Sequence, residues 1–204
     1  MTTEQGLRWF FKPLLLLACL APFGMLLHGA LQGGLGANPV ERITHVSGEW
    51  ALRLLLLTLA MTPLRRLLGQ VWPLRIRRML GLFVFFYASL HFLTWAWLDQ
   101  QWGWSQILGD IGKRPYVTVG FAAWLLLLPL AITSNRWSIK RLGRRWSRLH
   151  RAVYLVGVLA VLHFLWLVKA DLSEPLVYAF ILISLLMMRT PLGERFTQAV
   201  RTST

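Results

Sequence analysis

One cysteine, Cys19, stands among 204 residues. The chain therefore has no internal disulfide, no cysteine–histidine zinc pattern and no CxxCH sequence for thioether attachment of haem. Acidic residues are scarce: eight Asp and Glu face 22 Lys and Arg, a net charge of +14. There is no GxGxxG turn and no Walker sequence, which excludes a dinucleotide-binding domain of the chain's own. Charged residues make up 15% of the chain, where soluble domains carry about 25%. Strong positive charge can mark a nucleic-acid binder, but no nucleic-acid motif accompanies it. Basic loops facing an anionic membrane leaflet account for it instead.

What the chain has in abundance is long apolar runs. It is 56% hydrophobic, with a mean hydropathy of +0.53, and its charges cluster between the runs. That pattern predicts an all-α, polytopic membrane protein. Six spans are expected at about 10–31, 48–68, 79–98, 116–134, 150–169 and 175–190, forming one domain over 1–204. The first is too long for a signal-peptide core and is expected to be retained. With the N-terminus inside, 17 of the 22 cations fall on the inner side, Arg195 and Arg201 among them. The positive-inside rule then predicts an N-in, C-in six-helix bundle. No internal repeat and no low-complexity tract is evident.

Three histidines, His91, His150 and His163, lie inside apolar segments. An ionisable ring in a membrane span is costly and commonly functional. His91 and His163 each lie roughly 12 to 13 residues into an outward-running span, so their depths agree within a turn. Two imidazoles at one depth suit a bis-histidine haem b; each ring bonded to a neighbouring carbonyl is the plainer alternative. His150 stands 13 residues before His163, roughly 20 Å below it, but an ideal helix turns the two rings to different sides. The residue that would match His150 in depth on span three is Arg77, which is no iron ligand. One outer haem is thus better supported than two. His45 is expected in the outer loop, as a contact for a partner.

Arg53 lies four residues after Glu49 and needs a partner; a haem propionate and Glu49 itself are both open to it. Arg77, Arg78, Arg148 and Arg151 converge on the inner face. Inside-positive topology explains most of this; a flavin phosphate, an inner propionate or a docking acidic reductase would use the same charges. Electrons must come from a separate protein, from quinol or through a small bound flavin.

The stretches GGLGANPVERITHVSGEWAL, TPLRR, RIRRMLGLFVFFYASLH, RPYVTVG, TSNRWSIKRLGRRWSRLHRAVYL and HFLWLVK resemble the MsrQ family of the ferric-reductase-like transmembrane group. The most specific are R-R-x-L-G-L ahead of His91 and L-G-x-x-W-x-x-L-H at His150. The resemblance implies a six-helix haem b protein of the bacterial inner membrane that also carries FMN. It implies a heterodimer with MsrP, a periplasmic molybdopterin enzyme that reduces methionine sulfoxide in oxidised proteins, with the quinone pool or a cytosolic flavin reductase as donor. The family's intramembrane histidines fall on His91, His150 and His163, and its outer-loop histidine on His45. The chain reads as an electron-transfer subunit with no catalytic residue of its own. A membrane ferric or cupric reductase of the same fold, and a cofactor-free scaffold or transporter, are the competing readings.

Overall fold

The structure is a computed structural model that describes residues 6–191 and 193; Arg195 and Arg201 lie outside the described residues. These residues form helices and short connections, without a strand. Helix α1 (Lys12–Leu31) follows a π-helical turn at Leu7–Phe11. Next come α2 (Pro39–Leu68) and α3 (Trp72–Leu93), the latter prolonged by a π-helical turn at Thr94–Asp99. Short α4 (Trp104–Lys113) leads into α5 (Pro115–Ile132). Two further short helices, α6 (Arg136–Leu142) and α7 (Arg144–His150), precede α8 (Ala152–Leu167) and α9 (Ser173–Met187).

Local signals set the ends of these elements. Asn38 accepts from the Glu41 amide at 3.3 Å and donates to its carboxylate at 3.0 Å, a reciprocal cap. Pro39 follows at the first helical position, where a missing N–H costs nothing. This cap starts α2 nine residues before the expected span at 48, so the segment expected as outer loop is helix. At the other end Gly69 takes φ +67° and its amide bonds the Arg65 carbonyl at 2.9 Å, a left-handed cap that favours glycine.

Among the described residues, four segments are long and apolar enough to cross a membrane: Trp9–Leu31, Trp72–Asp99, Pro115–Ile132 and Arg144–Leu167, with Ser173–Met187 as a shorter apolar helix. α2 falls outside that set because Glu49, Arg53, Arg65 and Arg66 dilute its leucine run. It is nonetheless the central helix: Leu52, Leu54, Leu55, Leu56, Leu59 and Met61 are all buried. α2 packs most extensively on α3, and α5 on α8; α3 against α5 joins the two pairs. Between membrane helices such contacts gain mainly from close packing rather than from leaving water. Arg189, just past α9, is half-buried and donates to the Tyr154 hydroxyl at 2.7 Å.

Candidate functional site

α3 and α8 bring His91 and His163 together. Their ring centres stand 6.1 Å apart with planes at 82°. Each ring is aimed from behind. His91 Nδ1 bonds the Thr44 carbonyl of α2 at 2.9 Å, and His163 Nδ1 bonds the Tyr116 carbonyl of α5 at 2.7 Å. A carbonyl only accepts, so Nδ1 carries the proton in both rings and Nε2 keeps a free lone pair. A backbone carbonyl behind one nitrogen is the usual way a ligating imidazole is oriented. Sequence reasoning set the carbonyl bond against ligation as alternatives; the structure shows that the bond leaves the ligating nitrogen available.

The pair fits an iron ion between the rings. A metal–imidazole bond of about 2 Å on each side, plus the ring radius, puts the centres of two opposed ligands roughly 6 Å apart. The Tyr116 ring lies 6.2 Å from the His163 ring, centre to centre. Between the same two helix pairs, Phe92 of α3 stacks on Trp124 of α5 at 4.3 Å, and the Trp124 indole donates to the Ser89 hydroxyl at 3.1 Å.

His150 lies elsewhere. It ends α7, which runs into α8 through Arg151 at helical dihedrals (φ −68°, ψ −21°); the bonds Arg151 N–H to Arg148 and Tyr154 N–H to Arg151 tighten the helix there. Its Nε2 is 3.0 Å from the Thr133 hydroxyl, which itself donates to the Pro129 carbonyl at 2.6 Å. A hydroxyl has one proton, so Nε2–H of His150 is the donor. The ring also stacks on Trp146 at 3.9 Å. It lines a cavity of about 430 Å³ with Arg77, Arg78 and Arg151; Arg148 is exposed and is not among the lining residues. No second histidine lines this cavity.

Arg53 donates to Glu49 at 2.9 Å and to the Tyr178 hydroxyl at 3.0 Å, with its guanidinium 5.5 Å from the Trp50 ring centre. Glu49 is one of the two partners open to Arg53 in sequence; Tyr178 is one that no spacing rule could reach. His45 is on α2 rather than in a loop, exposed, with Nε2 4.0 Å from Glu41. Among the described residues no group of three or more His, Cys, Asp or Glu is placed to hold a metal ion.

The family described as ferric reductase like transmembrane component matches residues 47–161, a stretch that includes His91 and His150 and ends two residues before His163. A protein-methionine-sulfoxide reductase heme-binding subunit MsrQ of Xanthomonas euvesicatoria is 54% identical over 200 residues, 94% of this chain and 92% of its own. The chain belongs to the MsrQ family. Its Xanthomonas campestris member (strain B100) is 60% identical over 155 residues, 76% of this chain and 71% of the relative. The MsrQ of Bordetella pertussis is 51% identical over 192 residues, 93% of each chain. No solved structure matches.

Proposed function

We propose that this chain is the haem-binding, electron-transferring membrane subunit of a methionine sulfoxide reductase, in which His91 and His163 would hold the iron of one haem b. The observation that carries this is the close pair of imidazoles, 6.1 Å apart, each with Nδ1 on a carbonyl, which leaves Nε2 as the ligating nitrogen. The relatives' printed name, heme-binding subunit of protein-methionine-sulfoxide reductase, supports it. Haem held by two histidines supplies one-electron transfer without an open position for oxygen.

The chain's own part is to hold that group and to orient its ligands. The two carbonyls fix the proton on Nδ1. Sulfoxide reduction belongs to a partner, a periplasmic molybdopterin enzyme of the MsrP type. The donor is the quinone pool or a cytosolic flavin reductase.

We place the chain in the bacterial inner membrane as one domain of six crossing helices, α1, α2, α3, α5, α8 and α9, with both termini inside. Cation asymmetry supports that orientation. His91 and His163 then lie toward the outer face, where the partner docks, and exposed His45 is a contact for it. The inner cavity is the place for a second cofactor. FMN suits it better than a second haem: Arg77, Arg78 and Arg151 can take a phosphate and Trp146 a flat ring, whereas His150 has no opposing ligand.

The test is haem per polypeptide in purified protein, read from the dithionite-reduced spectrum. One haem, lost in His91→Ala and in His163→Ala, is expected, followed by its reoxidation when a purified MsrP-type partner with methionine sulfoxide is added. Reoxidation by chelated ferric iron but not by that partner would favour the metal-reductase reading. Colourless protein after haem-supplemented expression would leave the scaffold or transporter.

A further inference from the structure

Each of the two imidazoles lies against a glycine. A β-carbon built on Gly48 of α2 would stand 3.0 Å from both Nδ1 and Cε1 of His91. One built on Gly120 of α5 would stand 2.7 Å from Nδ1 and 2.9 Å from Cε1 of His163. Either contact is too close for a real methyl group unless the ring moves. Other helical glycines face leucine side chains or open space: a β-carbon on Gly29 would meet Leu35 at 2.8 Å and one on Gly157 Leu182 at 3.1 Å, while one on Gly24 would meet nothing within 4 Å.

Helix geometry explains why glycine is needed there. The carbonyl of residue i accepts the amide of residue i+4. The Thr44 carbonyl therefore points toward Gly48, and the Tyr116 carbonyl toward Gly120. A side-chain N–H that seeks the remaining lone pair of such a carbonyl must come in beside residue i+4, where a side chain would block it.

The arrangement occurs twice at one spacing. Each histidine follows its carbonyl by 47 residues. Thr44, Gly48 and His91 are each 72 residues ahead of Tyr116, Gly120 and His163. The segments around the histidines match as well: Leu90-His91-Phe92-Leu93 and Leu162-His163-Phe164-Leu165. The two helix pairs that carry them, α2 with α3 and α5 with α8, are the most extensive helix contacts in the molecule. The chain thus holds an internal repeat, contrary to the expectation from sequence of none.

We propose that Gly48 and Gly120 are positioning residues of the haem site, each letting an imidazole lie flat against a helix backbone so that its Nε2 is aimed at the iron. This rests on the haem reading above. The two seats act through the histidines, not by touching the iron, and alanine at either one turns the ring or breaks its carbonyl bond. An imidazole that loses this bond donates less charge to the metal, so the electronic state of the iron should change along with its retention.

The experiment compares purified wild type with Gly48→Ala, Gly120→Ala and, as a control, Gly24→Ala. Haem per chain and the low-spin ferric electron paramagnetic resonance spectrum are the readouts. Gly24→Ala should match wild type. Gly48→Ala and Gly120→Ala should each lose at least half of their haem, Gly120→Ala more, and what remains should give shifted ferric g-values. Wild-type haem content and wild-type g-values in both seat variants would overturn the proposal. If Gly120→Ala is not recovered folded, His163→Ala/Gly120→Ala decides. Recovery equal to that of His163→Ala alone means the methyl clashes with the ring and supports the seat; recovery as poor as Gly120→Ala means the methyl clashes elsewhere and overturns it. A colourless wild type would overturn the haem reading itself, a result distinct from red protein in all four samples.

Discussion

The hydroxyl of Tyr87 is threaded into the backbone of α1 beside Pro22. It donates to the Cys19 carbonyl at 2.6 Å and accepts from the Phe23 amide at 3.2 Å. Those two groups are four residues apart and would bond each other in an unbroken helix. A proline in a membrane helix disturbs the bonds around it, and neighbouring helices commonly repair them. Tyr87 is fully buried, so one phenol from α3 both repairs α1 and fixes it to the bundle.

Tyr87→Phe removes the repair and leaves a donor and an acceptor without their partner. The expected cost is about 1–2 kcal/mol, read as an earlier unfolding midpoint in a denaturing-detergent titration. Haem content should stay near the wild-type value: Tyr87 stands one turn before His91 on α3, but the phenylalanine ring keeps the packing there and only the hydroxyl is lost. A variant as stable as wild type would mean that Cys19 and Phe23 bond each other directly.

Arg53→Gln separates the two partners that its sequence position left open. Its guanidinium is held by Glu49 and Tyr178, so the substitution should lower stability by about 1 kcal/mol or less and leave haem per chain unchanged. A drop in haem content would instead place a propionate on this guanidinium.

His150→Ala should keep the outer haem. The ring's contacts are Thr133 and Trp146, and neither of the other two intramembrane histidines is among them. The expected result is unchanged haem per polypeptide, with flavin retention reduced if FMN occupies the cavity beside it. Loss of one of two haems would show that His150 leaves Thr133 and finds a ligand on iron.

Gly69→Ala tests the junction between α2 and α3. The residue sits at φ +67°, where a β-carbon costs on the order of 1 kcal/mol. A lowered unfolding midpoint with an intact haem spectrum is expected.

Much of the architecture was legible in sequence because period and polarity report burial directly. The apolar runs gave the helices α1, α3, α5, α8 and α9 to within a few residues, except where the run at 79 began inside a helix that starts at Trp72. The Asn38–Pro39 cap was readable by the same rules, yet the charges at Glu41, Arg42 and Glu49 argued for a loop, and α2 was begun too late. His91 and His163 could be paired because depth in a membrane is counted along a helix. The carbonyls of Thr44 and Tyr116 could not, since every residue has one and side-chain type says nothing about which is used. Gly48 and Gly120 carried a signal that was missed: the shared 72-residue offset with Leu-His-Phe-Leu at its end. The tie from Arg53 to Tyr178, 125 residues away, left no local trace at all.

The doubled offset also fixes an order of events during synthesis. His91 and its carbonyl are complete once α3 has entered the membrane, and the opposing imidazole is 72 residues further along the chain. At about 5–20 residues per second, the first half waits roughly 4 to 14 s for the second. Until then the nascent protein exposes one oriented imidazole with nothing across from it. The site therefore works as a clasp whose two halves are made at different times, and it closes only when the later hairpin docks against the earlier one.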